Sequence, residues 1–203
     1  MVAKQQEKTA RKEQLMLGAT EYLGDGLWYL PTVFEDQRDF FTVKRTYRET
    51  ATAWQMLTPN RLMAMPNNYE ELNNIGSRLA GPVSELTDFP SLKCSNVDIF
   101  VDLPGHSLPW HFDHDNYKVL LQVYTGDKEI NSGGTQWYIG DRNPELLEKY
   151  GTDTIVSDSG LPRTETPYKP YAGYINDNTQ RKAHGTNRVL PGNVRESVLF
   201  TFS

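Results

Sequence analysis

The sequence has a single cysteine, Cys94, among its 203 residues. One cysteine cannot form a disulfide within the chain and is typical of a reducing compartment, so we expect a cytoplasmic protein. Long apolar runs are missing too, because no stretch approaches the roughly 20 apolar residues that span a bilayer. Residues 1–13 also lack the apolar centre of a secretory signal. The sequence therefore predicts neither a membrane segment nor export.

Basic residues are outnumbered. The chain has 21 Lys and Arg against 26 Asp and Glu, which gives a net charge of −5. Proteins that bind nucleic acid through its phosphates usually carry an excess of Lys and Arg, at least along one stripe. The charge balance thus argues against a nucleic-acid substrate.

The N-terminal part of the chain has a mainly helical pattern. Length predicts one domain over residues 1–203, in which residues 1–93 support a strand-rich core. The segments expected in this part are a polar helix over the first 25 residues, a short strand at 27–31, a helix within 34–55, and a helix at 69–86 that is interrupted or ends near Pro82.

The pattern changes at Cys94. Segments rich in β-branched and aromatic residues predict strands at 97–103, 117–124, 135–139 and 194–202. Helices followed by many short strands indicate an α+β fold, with a β-sandwich or barrel buttressed by N-terminal helices. The segment 141–172 shows little periodicity, and a loop of that length is usually functional, so we interpret it as a candidate lid.

A metal-ligand pattern stands in the strand-rich half. The run Trp110-His-Phe-Asp-His-Asp115 contains His-x-Asp, and in a strand residues i and i+2 point to the same face. His111 and Asp113 are therefore expected to reach one ion, with His184 completing the set from a neighbouring strand. Two imidazoles and one carboxylate leave three positions open, as oxygen-activating iron requires. Taken alone, His-x-Asp fits histidines hydrogen-bonded in a loop equally well.

An arginine near the C-terminus adds to this pattern. Arg195 and Ser197 share one face of the final, otherwise apolar strand. A buried arginine needs an anionic partner, and its planar fork suits a carboxylate. The partner is either a bound carboxylate or a structural Asp or Glu. Asp98 and Asp102 also share a strand face, and they either meet a cationic substrate or, the reading we favour, face solvent.

These residues together resemble the Fe(II)/2-oxoglutarate-dependent dioxygenases, in particular the prolyl 4-hydroxylase and phytanoyl-CoA hydroxylase-like branches. His-x-Asp, a distal His and Arg-x-Ser on the last strand occur in that order. Tyr124-Thr-Gly-Asp127 followed by Ser132-Gly-Gly-Thr135 is similar to a segment of prolyl hydroxylases, and Trp110-His-Phe-Asp-His-Asp115 to the phytanoyl hydroxylase pattern. The resemblance covers about residues 95–203.

The resemblance implies a double-stranded β-helix, or jelly roll, as the core. It implies that His111, Asp113 and His184 bind Fe(II), and that Arg195 holds the distal carboxylate of 2-oxoglutarate. Tyr124, and more weakly Ser197 and Gln122, are implied as further 2-oxoglutarate contacts. The activity implied is hydroxylation of a C–H bond with O₂, releasing succinate and CO₂.

The substrate stays open at this point. A peptidyl residue such as proline and a small molecule both fit the resemblance. Two alternatives remain: a demethylase of the same fold that acts on nucleic acid or another N-methyl group, and a non-catalytic jelly-roll protein whose metal site is structural or holds zinc.

Overall fold

The computed structural model describes residues 17–50, 54–64, 70–131, 133–141, 143–151 and 163–203. Within these ranges, twelve strands form two antiparallel sheets, accompanied by three α-helices and one short 3₁₀ helix. No helix in the described ranges is long and apolar enough to cross a membrane.

The elements follow one another in this order: β1 (Glu21–Gly24), β2 (Leu27–Leu30), α1 (Gln37–Thr50), β3 (Trp54–Thr58), β4 (Arg61–Ala64), α2 (Glu70–Thr87), β5 (Cys94–Asp102), β6 (Leu108–His111), β7 (Val119–Tyr124), β8 (Thr135–Trp137), α3 (Asn143–Tyr150), β9 (Thr164–Thr166), β10 (Gly173–Asp177), the 3₁₀ helix (Asn178–Gln180), β11 (His184–Thr186) and β12 (Arg195–Phe202).

The two sheets take their strands from the chain in an interleaved way. The larger sheet has the strand order β1-β2-β10-β7-β12-β5-β4-β3, and the smaller has β6-β11-β8-β9. From β5 to β12 the chain crosses repeatedly between the two sheets. In sequence, β6 comes between β5 and β7 of the larger sheet, and β11 comes between β10 and β12. The mostly antiparallel sheets with helices confirm the predicted α+β class.

The main hydrophobic core lies between the larger sheet and the helices. Leu72, Ile75, Leu79 and Val83 recur at helical spacing in α2, and all four are buried. They belong to one cluster with the outward face of the last strand, which contributes Val198, Phe200 and Phe202. The opposite face of β12, which begins with Arg195, is thereby turned toward the smaller sheet.

The helix expected over the first 25 residues is wrong where the structure describes that segment. Residues 1–16 lie outside the described residues, but 21–24 form a strand that pairs with 27–30 in a hairpin. The strand expected at 27–31 is present as β2. Pairing of β2 with β10 favours strands over a helix here, because it buries Leu27 and Leu30 in the sheet. The N-terminal part thus adds two strands to each edge of the larger sheet.

The sequence predicts that the helix at 69–86 is interrupted or ends near Pro82, but α2 does neither. It runs on to Thr87 with the proline inside it. Pro82 and Val83 are both buried, and this packing offsets the backbone hydrogen bond that a helical proline gives up.

The segment 141–172 is more ordered than its sequence pattern predicts. Its described parts include α3 and β9, while residues 142 and 152–162 lie outside the described residues. A role as a lid stays a prediction.

Candidate metal centre

Adjacent strands of the smaller sheet bring the two predicted histidine ligands together. β11 pairs with β6 so that His184 lies directly opposite His111. Asp113 follows the end of β6 by two residues and lies just beyond the strand. Its carboxylate lies 3.8 Å from Nε2 of His111 and 3.5 Å from Nε2 of His184.

The three side chains each offer one ligand atom, and these atoms all lie within 4.8 Å of one another. Two imidazole nitrogens and one carboxylate oxygen can therefore be drawn onto a single ion. The predicted proximity of His111, Asp113 and His184 is present, and the donor set is the one that leaves open positions on non-haem iron.

Backbone carbonyls orient both imidazoles. Nδ1 of His111 lies 2.8 Å from the carbonyl oxygen of Pro109, and Nδ1 of His184 lies 3.2 Å from that of Lys182. When Nδ1 carries the proton and donates to the carbonyl, Nε2 presents its lone pair toward Asp113. Trp137 stacks on the His184 ring at a centroid distance of 4.6 Å, which fixes the plane of that imidazole.

The protonation state of His111 suits a metal ligand. Burial and the neighbouring His184 lower the pKa of His111 to about 4. The ring is therefore neutral at physiological pH, as a ligand must be, and no proton has to leave before an ion binds.

A cavity of about 210 Å³ opens beside the three ligands. It lies between the two sheets, and both supply its walls. Besides His111, Asp113 and His184, the residues that line it are Arg61, Asp98, Phe100, Leu108, His114, Tyr117, Leu120, Gln122, Tyr174, Leu199 and Thr201. Of the four residues predicted to contact 2-oxoglutarate, Gln122 lines this cavity.

Arg195 is buried and already has an anionic protein partner. Its Nε and Nη2 donate to Oδ2 of Asp102 at 2.8 and 2.6 Å. Nη2 also donates to Oγ1 of Thr186 at 3.0 Å, and Nη1 to the carbonyl oxygen of Gly133 at 3.0 Å. The sequence left open whether Arg195 pairs with a bound carboxylate or with a structural Asp or Glu, and the structure shows a structural partner, Asp102.

The other predicted contacts form a polar layer that reaches the cavity at Gln122. The Tyr124 hydroxyl is buried, 3.2 Å from the carbonyl oxygen of Thr166 and 3.3 Å from Oγ1 of Thr135. Gln122 donates through Nε2 to Oγ of Ser197 at 2.8 Å, and its Oε1 accepts from the Tyr174 hydroxyl. Hydroxyl and amide groups therefore line the space between the sheets on the β7 and β12 side.

Asp102 is buried and Asp98 is half-buried, which corrects the interpretation that both face solvent. Asp98 lines the cavity, and Asp102 is 1% exposed. Burial alone would raise the pKa of Asp102, but hydrogen bonds from Arg61 and the charges of Arg195 and Arg61 outweigh burial and hold that pKa below its usual range.

Arg61 is a site residue that sequence reasoning missed. It donates from Nε and Nη2 to the two carboxylate oxygens of Asp102 at 2.5 and 3.1 Å, and its guanidinium lies 4.7 Å from the centre of the Phe100 ring. Its strand, β4, was not predicted, and nothing in the sequence marks which strand would pair with β5. The role of Tyr174 was missed as well, because its place beside Gln122 depends on the pairing of β10 with β7.

Comparisons with known proteins agree with this geometry. No protein-family model and no curated protein matches the sequence. Solved structures do match. HygX from Streptomyces hygroscopicus, solved with nickel and 2-oxoglutarate bound, matches at TM-score 0.61 and 17% identity, over 88% of this chain and 82% of HygX.

Two further structures match over similar lengths. A 2OG-Fe(II) oxygenase family oxidoreductase from Burkholderia pseudomallei matches at TM-score 0.63 and 14% identity, over 88% of this chain and 84% of its own. SnoN, a non-haem α-ketoglutarate-dependent epimerase of nogalamycin biosynthesis, matches at TM-score 0.66 and 12% identity, over 88% and 76%.

The chain has the fold of the Fe(II)/2-oxoglutarate oxygenases. The superfamily resemblance in the motifs is thereby confirmed at the level of fold. The matching structures include oxygenases that catalyse different reactions: SnoN is an epimerase, and a further match, SnoK, is a carbocyclase. The fold alone consequently leaves the reaction outcome open.

Proposed function

We propose that the protein is an Fe(II)- and 2-oxoglutarate-dependent oxygenase that hydroxylates a C–H bond of a small molecule. The observation that carries the proposal is the convergence of His111, Asp113 and His184 beside a cavity between the two sheets. The oxygenase fold supports it independently. The interleaving of the chain between the sheets further supports a double-stranded β-helix, or jelly roll, as the core.

His111, Asp113 and His184 would hold the iron through two imidazole nitrogens and one carboxylate oxygen. When bound, iron with 2-oxoglutarate and O₂ supplies the oxidising power that breaks a C–H bond, and the co-substrate leaves as succinate and CO₂. The chain's own contribution is orientation: the carbonyls of Pro109 and Lys182 set the imidazole tautomers, and Trp137 holds the His184 ring. Asp113 retains a carboxylate where halogenases leave room for chloride, so hydroxylation is the favoured outcome.

The 2-oxoglutarate contacts are proposed on charge as well as on resemblance. Arg61 and Arg195 are permanently protonated and share the single carboxylate of Asp102. The cluster therefore keeps one positive charge. Arg195 shares a face of β12 with Ser197, which lies opposite Tyr124 and accepts a hydrogen bond from Gln122. A carboxylate of 2-oxoglutarate would balance that charge and accept hydrogen bonds from the hydroxyls and the amide.

A small molecule is favoured over a peptidyl residue. HygX has been solved with hygromycin B bound and SnoN with nogalamycin RO, both of them small molecules. The cavity of about 210 Å³ also suits a small ligand or part of one. The predicted partners are thus O₂, 2-oxoglutarate and a small molecule, and a cytoplasmic location stays a prediction.

The test is anaerobic addition of Fe(II) and then 2-oxoglutarate to metal-free protein, followed by absorption spectroscopy. We expect the visible charge-transfer band of an iron–ketoacid complex. His111→Ala should abolish the band, and Arg195→Ala should weaken it by raising the 2-oxoglutarate concentration needed for half-saturation. Fe(II) binding without a band, or no binding, would contradict the proposal.

One observation favours a second candidate, a metal-binding protein of this fold without oxygenase activity. The ion pair with Asp102 gives Arg195 a structural partner, so the arginine no longer requires a bound carboxylate. A zinc ion would accept the same two imidazoles and one carboxylate. In the same experiment, stoichiometric metal binding that is indifferent to 2-oxoglutarate would identify this case.

A further inference from the structure

The carboxylate of Asp98 lies in the cavity wall without a cationic partner among the described residues. Asp98 is on the inward face of β5, directly opposite Leu199 of β12. Among the described residues, it accepts a hydrogen bond from the neutral amide of Asn96, with Nδ2 2.9 Å from Oδ2. Partial burial raises the pKa of Asp98, and the Asn96 bond only partly offsets this. The carboxylate is therefore partly shielded from solvent, and its hydrogen-bond partner carries no positive charge.

The arginine that shares the cavity does not supply this charge. Arg61 is engaged through two nitrogens with Asp102, and its guanidinium lies over Phe100. Asp102 and Asp98 are four residues apart on one strand, a separation of about 13 Å along β5. Arg61 thus lies toward the Asp102 end of the cavity and leaves Asp98 uncompensated.

The remaining charges of the loaded site balance without Asp98. This step rests on the proposed function. The two charges of Fe(II) would be met by Asp113 and one carboxylate of 2-oxoglutarate. The surplus charge of the Arg61–Asp102–Arg195 cluster would be met by the other carboxylate. Among the described carboxylates and guanidinium groups that line the cavity, Asp98 is then the one that neither metal nor co-substrate neutralises. Its half-buried carboxylate has lost part of its hydration, a loss that an ion pair would offset.

We propose that Asp98 determines substrate specificity by pairing with a protonated amine, so that the substrate is a small molecule with a cationic amino group. Leu199 lies directly opposite Asp98, and Phe100, Leu108 and Leu120 add further apolar side chains to the lining of the same cavity. They fit a hydrocarbon skeleton adjoining the amine. An ion pair formed in such surroundings is screened less than one at the surface.

Three probes with one ring and different charge test the proposal: cyclohexylammonium, cyclohexanol and cyclohexanecarboxylate. Their dissociation constants are measured by NMR titration on protein loaded with Ni(II) and 2-oxoglutarate, and again on metal-free protein. We expect the ammonium to bind at least about tenfold more tightly than the alcohol, which corresponds to one desolvated ion pair. Asp98→Asn should abolish that preference, and Asp141→Asn, which removes the same charge from an exposed position, should keep it.

Several results would overturn the inference. They are equal or tighter binding of the alcohol or the carboxylate, a preference that survives Asp98→Asn, and no binding of any probe up to its solubility limit. The comparison of the three probes on unsubstituted protein is decisive even if Asp98→Asn folds poorly. The charge-transfer band is recorded on the same preparation. A band without an ammonium preference refutes the substrate class alone, whereas a missing band refutes the proposed function.

Discussion

The guanidinium of Arg195 rests on the carboxylate of Asp102, with Nη2 2.6 Å from Oδ2. The two residues face each other across paired strands, since Arg195 of β12 and Asp102 of β5 are direct partners in the ladder. Arg61 approaches the same carboxylate from β4 on the other side of β5. One buried acid therefore holds three strands together at the level of the proposed co-substrate site.

Asp102→Asn should destabilise the fold strongly. The substitution keeps the shape but leaves Arg61 and Arg195 without their shared counter-charge. Removing one partner of a buried ion pair costs about 3–5 kcal/mol, and we expect the free energy of unfolding in urea to fall by that amount. Adding Arg61→Met to Asp102→Asn should recover part of the loss, because it removes one of the two stranded charges. A loss no larger than that of Asp141→Asn would show that the ion pair contributes little.

Gln122→Glu should weaken 2-oxoglutarate binding more than metal binding. The amide of Gln122 accepts from Tyr174 and donates to Ser197. A carboxylate in its place has the same shape but cannot donate to Ser197, and it repels an anionic co-substrate. We expect the half-saturating 2-oxoglutarate concentration to rise about tenfold, equivalent to about 1.4 kcal/mol, in a titration of the charge-transfer band. An unchanged titration would place the co-substrate away from Gln122.

The proximity of His111 and Asp113 was predictable because their spacing is local and a strand end can present both to one ion. His184 is distant in sequence, and the order of motifs in the resembling family led us to place it with them. The helix α2 was predictable for a similarly local reason, since four buried residues repeat at helical spacing. For the His111 and Asp113 pair and for α2, the chemistry or the periodicity lies within a few residues of sequence.

The partners of Arg195 and Arg61 were not predictable, because they depend on strand pairing. Asp102 is 93 residues from Arg195 and 41 from Arg61 in sequence. Many acids could fill that role, and only the register of β4, β5 and β12 selects one. The strand β1 escaped prediction likewise, since its pairing with β2 overrides the local preference of a polar segment.

The Cys94 thiol should react slowly in the folded protein. Burial raises the pKa of Cys94 from 9.0 for an unperturbed thiol to about 11. Because the thiolate is the reactive form, a pKa that is two units higher lowers the reaction rate with iodoacetamide at pH 8 by about 100-fold relative to the unfolded chain. The unfolded chain loses this proton first as pH rises, so the folded state also loses stability between about pH 9 and pH 11.

The control for Cys94 is a cysteine placed at an exposed position in a chain without Cys94. Asp141→Cys combined with Cys94→Ala should react at the rate of an unprotected thiol. If native Cys94 reacts as fast as this control, the thiol is not shielded by the contact between α2 and β5.

Gly76→Ala should destabilise the protein although alanine is the better helix former. At an exposed helical position the change would stabilise by about 1 kcal/mol. At Gly76, however, a Cβ would lie 2.4 Å from Sγ of Cys94 and 3.1 Å from Cδ1 of Phe200. Overpacking of this kind costs about 1–3 kcal/mol, and it outweighs the helix propensity because the sheet backbone behind Cys94 leaves little room to move. We expect a net loss of about 1–2 kcal/mol in urea unfolding.

A second substitution separates the clash from other effects of Gly76→Ala. Cys94→Ala removes the sulfur that the new Cβ meets. Gly76→Ala should therefore lower the free energy of unfolding much less when it is added to Cys94→Ala than when it is made in the protein that retains Cys94. Ser77→Ala, at the exposed neighbour on the same helix, should change stability by no more than about 0.5 kcal/mol. If Gly76→Ala instead stabilises the protein, the helix α2 does not approach β5 as closely as the glycine requires, and the core between them is looser than the structure shows.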